Sequence, residues 1–165
     1  MLRYLNTQVY TSEIPDELSL GFSILGCNIH CPNCHSQHVW DINSIGQGKE
    51  LTYEELDKCI EAQKLVSCIL FFGGEWDLEY LKNIIKYIQN KYDYKIALYS
   101  GHDFDFFSKN EILELLNYIK VGPYIESLGG LNNPKTNQRL YYNDNGIYKD
   151  ITYKFWNTGY KYENI

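Results

Sequence analysis

Large apolar residues recur along the chain with two different spacings. Four short, dense runs, Leu20–Leu25, Cys68–Phe72, Lys95–Tyr99 and Tyr118–Val121, predict buried strands. Each run stops abruptly on small or polar residues: Gly26-Cys27, Gly73-Gly74-Glu75, Ser100-Gly101 and Gly122-Pro123. The intervals carry helical spacing instead. Thr52-Tyr-Glu-Glu55 has the form of a capping box ahead of Leu56, Cys59 and Ile60. Asp77 is placed to cap a helix whose apolar stripe is Leu78, Leu81, Ile84, Ile85 and Ile88. Ser108-Lys-Asn-Glu111 repeats the capping-box form before Ile112, Leu115, Leu116 and Ile119.

Strands alternating with amphipathic helices predict a parallel sheet joined by crossovers, so the four punctuated ends emerge on one rim. In barrel-type α/β proteins that rim carries the chemistry. The tail departs from the pattern, because Leu140–Tyr142 and Ile147–Tyr153 flank Asn143-Asp-Asn-Gly146, a hairpin signal. A chain of 165 residues is too short for a complete eight-unit barrel of roughly 250 residues. The expected fold is therefore a single α/β domain over 1–165, a partial (β/α) barrel with a C-terminal β-hairpin extension.

Charge and composition narrow the function classes. A net charge of −6 argues against a partner held by its phosphates, nucleic acid or anionic membrane alike. The longest apolar run, Val66–Phe72, is far below the roughly 20 residues of a membrane span, and the first fifteen residues lack the apolar block of a signal peptide. The expected location is the cytoplasm, where the five cysteines stay reduced. Three of them crowd between positions 27 and 34, which favours a metal or redox site over a disulfide framework.

Those three form C-x3-C-x2-C in Gly26-Cys27-Asn-Ile-His30-Cys31-Pro-Asn-Cys34-His35, on a loop directly after a strand. Three thiolates can hold three irons of a [4Fe–4S] cluster and leave the fourth open to a ligand. A zinc ion completed by His30, His35 or His38 satisfies the same spacing, and unligated thiols are the remaining reading. Gly73-Gly74-Glu75 bears on the choice: paired glycines admit a ligand close to the backbone, and the carboxylate accepts from an ammonium group. One strand–helix unit after the cysteine loop, it falls on the same rim and faces the open iron.

The three-cysteine motif with Gly73-Gly74-Glu75 resembles the radical S-adenosylmethionine family. Further segments are similar to the activating proteins of anaerobic (class III) ribonucleoside-triphosphate reductases: Cys34-His35-Ser36 with Val39-Trp40, Tyr99-Ser100-Gly101, Lys120-Val-Gly-Pro-Tyr124-Ile-Glu126 and Thr136-Asn-Gln-Arg139-Leu-Tyr141. The resemblance covers nearly the whole chain. It implies a barrel of the radical S-adenosylmethionine type in which Cys27, Cys31 and Cys34 ligate the cluster, while S-adenosylmethionine chelates the open iron. Glu75 and the Gly73–Gly74 backbone would hold the methionyl ammonium, with Asn33, Cys34, His35 and Ser100 as further cofactor contacts. Reductive cleavage would give a 5′-deoxyadenosyl radical that takes hydrogen from a glycine Cα of the large reductase subunit. Reduced flavodoxin is the implied electron donor. Two positions depart from the family pattern: Asn33 stands where an aromatic residue often precedes the third cysteine, and Trp76 where proline often follows Gly-Gly-Glu.

The remaining chemistry-bearing residues carry blander readings. His30 and His38 are solvent-facing, His102 with Asp103 and Asp105 belongs to a polar loop, and Cys59 and Cys68 are small buried hydrophobes. Arg139, one of two arginines, is expected to fix a carboxylate or a loop carbonyl near the ligand or the partner surface. The Tyr-rich tail with Trp156 offers either interface or hairpin core. Two rival functions stand beside the leading one: an activating enzyme of pyruvate formate-lyase or another glycyl-radical enzyme, and a non-catalytic Cys3His zinc interaction module.

Overall fold

The computed structural model describes residues 1–41 and 48–156. In chain order these form β1 (Arg3–Tyr10), β2 (Ser19–Ile24), β3 (Lys49–Glu50), α1 (Tyr53–Glu61), β4 (Cys68–Phe72), α2 (Leu78–Lys91), β5 (Lys95–Tyr99), α3 (Phe104–Phe107), α4 (Ile112–Leu115), β6 (Tyr118–Val121), β7 (Arg139–Asp144) and β8 (Ile147–Asp150). All eight strands join one mixed sheet in the order β3-β1-β2-β4-β5-β6-β7-β8. Its centre, β2-β4-β5-β6, is parallel and made of the four apolar runs, while the flanks are antiparallel.

Residue alternation divides the sheet into two faces. Leu20, Phe22 and Ile24 of β2, Ile69 and Phe71 of β4, Ile96 and Leu98 of β5 and Ile119 and Val121 of β6 share one buried cluster with α1 and α2. The helices contribute Leu56, Ile60, Leu81, Ile84, Ile85 and Ile88. Each such side chain, fully buried, is worth about 1.5–3 kcal/mol of transfer free energy. The opposite face carries a smaller cluster of Ile14, Cys68, Leu70, Ala97, Tyr118 and Leu140. Cys68 is fully buried there, and burial pushes its thiol up to about 12, the behaviour of a small hydrophobe.

The helix caps follow the sequence in part. Thr52 Oγ1 accepts from Glu55 N at 3.2 Å, but the Glu55 carboxylate does not close the box; it accepts from Tyr4 Oη at 2.6 Å and Lys49 Nζ at 2.8 Å. Asp77 caps α2 by accepting from Tyr80 N at 3.2 Å. The segment after Ser108 is not the helix that its capping-box form predicts. Ser108 closes α3 instead, its hydroxyl donating to Asp105 O, and Asn110 Oδ1 accepts from Ile112 N at the start of the single-turn α4. Ile119 belongs to β6, where its side chain joins the helix-covered core.

The hairpin β7–β8 turns through Asn145 at φ 53° and Gly146 at φ 89°, the two positive angles that an Asn-Gly turn supplies. Its second strand ends at Asp150 rather than Tyr153. Asp150 Oδ1 accepts from the Thr152 amide at 2.9 Å and its hydroxyl at 2.6 Å, which turns the chain into a short helical segment, Thr152–Phe155. β1 was not among the expected strands, because Arg3, Asn6, Thr7 and Gln8 interrupt its apolar positions. Among the described residues no helix is long and apolar enough to cross a membrane.

Candidate functional site

The C-terminal ends of all four parallel strands open into one cavity of about 1100 Å³. Its lining includes Cys27, Cys31, Cys34, His35, Gly73, Glu75 and Ser100, seven of the nine residues singled out from sequence. Gly74 and Asn33 act from behind it. Gly74, at φ 104°, sits over Leu2, Ile24 and Leu81, where an added Cβ would lie 3.3 Å from Leu2 Cδ1. Asn33 turns its amide outward, donating to Glu126 Oε2 at 2.7 Å.

The cysteine loop is a folded unit. Gly26, at φ 92°, redirects the chain out of β2, and its amide donates to Val39 O at 2.8 Å while the Cys27 amide donates to Trp40 O at 3.1 Å. Pro32 and Asn33 occupy the centre of a turn closed by Cys34 N donating to Cys31 O at 3.1 Å, with Asn33 at φ 56°. Proline presets the first central position of such a turn and asparagine tolerates the left-handed second, so Asn33 is explained by backbone geometry. The Ser36 amide donates to Cys34 Sγ at 3.3 Å, the kind of contact that stabilises a thiolate and tunes a cluster. Trp76, the departure from proline, anchors the loop's base: its Nε1 donates to Leu25 O at 3.0 Å.

Across the cavity, Gly73 at φ 86° donates its amide to Tyr99 O at 2.9 Å, which fixes the Gly-Gly-Glu turn to the end of β5. Ser100 accepts from the His102 amide at 3.0 Å and donates to Glu75 Oε1 at 2.7 Å. Glu75 is thereby oriented by one oxygen, and its second makes no hydrogen bond among the described residues. It is available to a cationic ligand.

Lys120 was not singled out as a site residue, yet it lines the same cavity while only 8% exposed. Its Nζ donates to Ser100 O at 3.3 Å and Gly122 O at 3.0 Å. Burial pushes its pKa down to about 8, opposed by Cys31, Cys34, Glu75 and Glu13 around it. Burial likewise pushes Glu13 up, against the hydrogen bond from Tyr99 and the charge of Lys120. A lysine inside the apolar run Tyr118–Val121, on the face opposite Ile119, was the available signal.

The other candidates resolve into supporting roles. His35 packs beside Tyr124 with ring centroids 5.5 Å apart, and His30 stacks on Trp40 at 4.7 Å. His38 lines the cavity mouth but is exposed. His102 stacks on Phe106 at 3.9 Å, away from the cavity lining. Arg139 holds both kinds of partner expected of it, donating to Thr136 O at 2.6 Å and Gln138 O at 2.7 Å and pairing with Asp150 at 3.5 Å. Thr136, Asn137 and Gln138 bond in turn to Gly129 O, Pro123 O and Gly122 O, so this segment builds the wall beyond β6. In the tail, Phe155 reaches the cavity, Trp156 Nε1 is buried with no hydrogen-bond partner among the described residues, and residues 157–165 lie outside them.

Cys27, Cys31 and Cys34 all line the cavity, and three thiolates are a donor set that a [4Fe–4S] cluster takes, one to each of three irons. The model of the 4Fe-4S single cluster domain family matches residues 19–143, from the first residue of β2 to the last but one of β7. The chain belongs to that family: it is an iron–sulfur protein built on an α/β sheet. Neither a curated protein nor a solved structure gives a match to it.

Proposed function

We propose that this chain is a radical S-adenosylmethionine enzyme that activates an anaerobic ribonucleoside-triphosphate reductase by generating a glycyl radical on its large subunit. One observation carries the reading: the cysteine loop and the Gly73-Gly74-Glu75 turn, 39 residues apart in sequence from Cys34 to Gly73, face one cavity with Glu75 held by Ser100. When bound and reduced, the cluster supplies the electron that cleaves the sulfonium of S-adenosylmethionine to methionine and a 5′-deoxyadenosyl radical.

The protein's part is binding. Cys27, Cys31 and Cys34 would hold the cluster at the end of β2, and the Gly73 backbone would admit the methionyl group beside it. The free oxygen of Glu75 takes the ammonium in a charge-assisted bond. Phe72 and Tyr99 line the cavity and pack on the apolar cluster of the sheet face opposite the helices, which gives it an apolar floor. In this reading the sheet is a partial barrel of the radical S-adenosylmethionine type. The enzyme works in the cytoplasm with a donor such as reduced flavodoxin.

The test is anaerobic reconstitution followed by reaction with the cognate reductase. The expected result is about four irons and four sulfides per chain, formation of 5′-deoxyadenosine, and a glycyl-radical doublet in electron paramagnetic resonance. A doublet on pyruvate formate-lyase and none on the reductase would transfer the activity to that partner. One zinc per chain and no cleavage would overturn it.

A further inference from the structure

The cavity has a further lining on β1, beside the strand that leads into the cysteine loop. Asn6, Gln8 and Tyr10 of β1 line it in a row, two residues apart. They are there because of a bulge. Tyr4 pairs with Ile24 and Thr7 with Phe22, so β1 spends three residues where β2 spends two. Before the bulge the even-numbered residues Leu2 and Tyr4 are buried in the helix-covered core; after it Val9 packs against that core, and the even-numbered side chains face the cavity. Without the bulge, Asn6 and Gln8 would continue the face of Leu2 and Tyr4 into the apolar cluster.

The chemistry of the row is specific in kind. Asn6 and Gln8 are exposed, make no side-chain hydrogen bond among the described residues, and each offers a donor and an acceptor without charge. Asn132 adds a further neutral group to the lining; of its charged groups, Glu75 and Lys120 both bond to Ser100, and Glu13 follows Tyr10 in the chain. Gly21 keeps the base of the row flat: a Cβ there would lie 2.6 Å from the Tyr10 ring and 2.7 Å from the Phe72 ring, which pack edge to face at 5.2 Å.

An uncharged, two-residue-spaced row of amides is complementary to alternate peptide groups of an extended main chain. Resting on the function proposed above, we infer that Asn6 and Gln8 are the strip that reads the backbone of the partner's glycine-bearing segment and lays it along β1. A segment whose reacting residue has no side chain gives the enzyme little but backbone to grip, and side-chain amides supply both halves of that grip.

The test uses the reconstituted full chain and the intact reductase. The double variant Asn6→Ala/Gln8→Ala removes two neutral hydrogen-bonding groups and is expected to weaken reductase binding about tenfold, at the ordinary net value of such bonds. The glycyl radical formed per S-adenosylmethionine consumed should fall with it. Cluster absorbance reports whether the variant folds. If it does not, Asn6→Asp/Gln8→Glu keeps the shapes, removes the donors, and is expected to show the same two losses. Wild-type affinity and radical yield in the folded variant would overturn the strip while leaving the proposed function standing. No glycyl radical from the wild-type protein would instead overturn the function on which the strip depends.

Discussion

The two faces of the central sheet are built by the same strands and have opposite fates. Phe71 and Phe72 are neighbours in β4, yet Phe71 is sealed between the sheet and its helices while Phe72 lies half-buried at the cavity, edge to face with Tyr10 and Tyr99. On the helix side every strand presents aliphatic or aromatic groups, and any set of the right volume would serve. On the cavity side the same alternation delivers Gly21, Ser23, Tyr99 and Lys120, and beyond the strand ends Cys27, Glu75 and Ser100. Stability is concentrated on one face and chemistry on the rim of the other, so substitutions one residue apart should fail in different ways.

The sharpest break is at the cysteine loop. Replacing Cys27, Cys31 or Cys34 with Ala should abolish the cluster absorbance of the reconstituted protein, because in the proposed ligation each thiolate serves its own iron. Cys59→Ala, whose half-buried sulfur meets Tyr4 Oη at 3.4 Å instead of packing as a buried hydrophobe, and Cys68→Ala, whose sulfur is buried in the cavity-side cluster, should retain it. Iron and sulfide analysis checks both; loss in Cys68→Ala with retention in Cys27→Ala would reverse the assignment.

Next in size is the pair within β4. Phe71→Ala should cost about 3–5 kcal/mol in urea denaturation, the range for a fully buried aromatic whose cavity cannot collapse. Phe72→Ala, bordering an existing cavity, should cost about 1–2 kcal/mol. Equal losses would mean that the cavity face is as tightly packed as the helix face.

The same contrast explains what the sequence discloses. The helix face was legible because burial on both sides of a parallel strand leaves dense apolar runs, and β2, β4, β5 and β6 fall where those runs predict. Their glycine-rich ends were legible for the same reason, and with them the cavity's cysteines, Gly73, Glu75 and Ser100. β1 was hidden by its bulge, which breaks the period-2 pattern midway. Ser108 misled because its hydroxyl found a closer acceptor in the turn before it than in the helix after it. Lys120 reads as a surface residue until Ile119 and Val121 are known to point the other way.

A smaller effect is expected at Glu75. Glu75→Gln keeps the bond from Ser100 but removes the charge offered to an ammonium, and should weaken S-adenosylmethionine binding by about 1–3 kcal/mol. Titration followed by cluster spectroscopy measures it, and unchanged affinity would remove Glu75 from the ligand site.

The smallest effect concerns the closed end of the cavity face, where polarity serves stability instead of chemistry. Glu17 is 8% exposed and accepts from Lys95 Nζ, from Ser67 Oγ at 2.6 Å and from Tyr118 Oη at 2.9 Å. Burial alone would raise its pKa, but the three donors outweigh burial and hold it below the ordinary 4.5. The folded state therefore binds this proton less readily than the unfolded chain. Its stabilisation is complete above 4.5 and is lost as pH falls through that value and past the lower folded one. Glu17→Gln should destabilise the protein by about 1–2 kcal/mol at neutral pH, toward the low end for a buried pair because Lys95 is 48% exposed and can turn to water. Below the folded pKa both proteins carry a neutral side chain there, so the difference should shrink toward zero. Urea denaturation at pH 7 and pH 3 tests this, and a loss of the same size at both would show that Glu17 stabilises the closed end by shape rather than by charge.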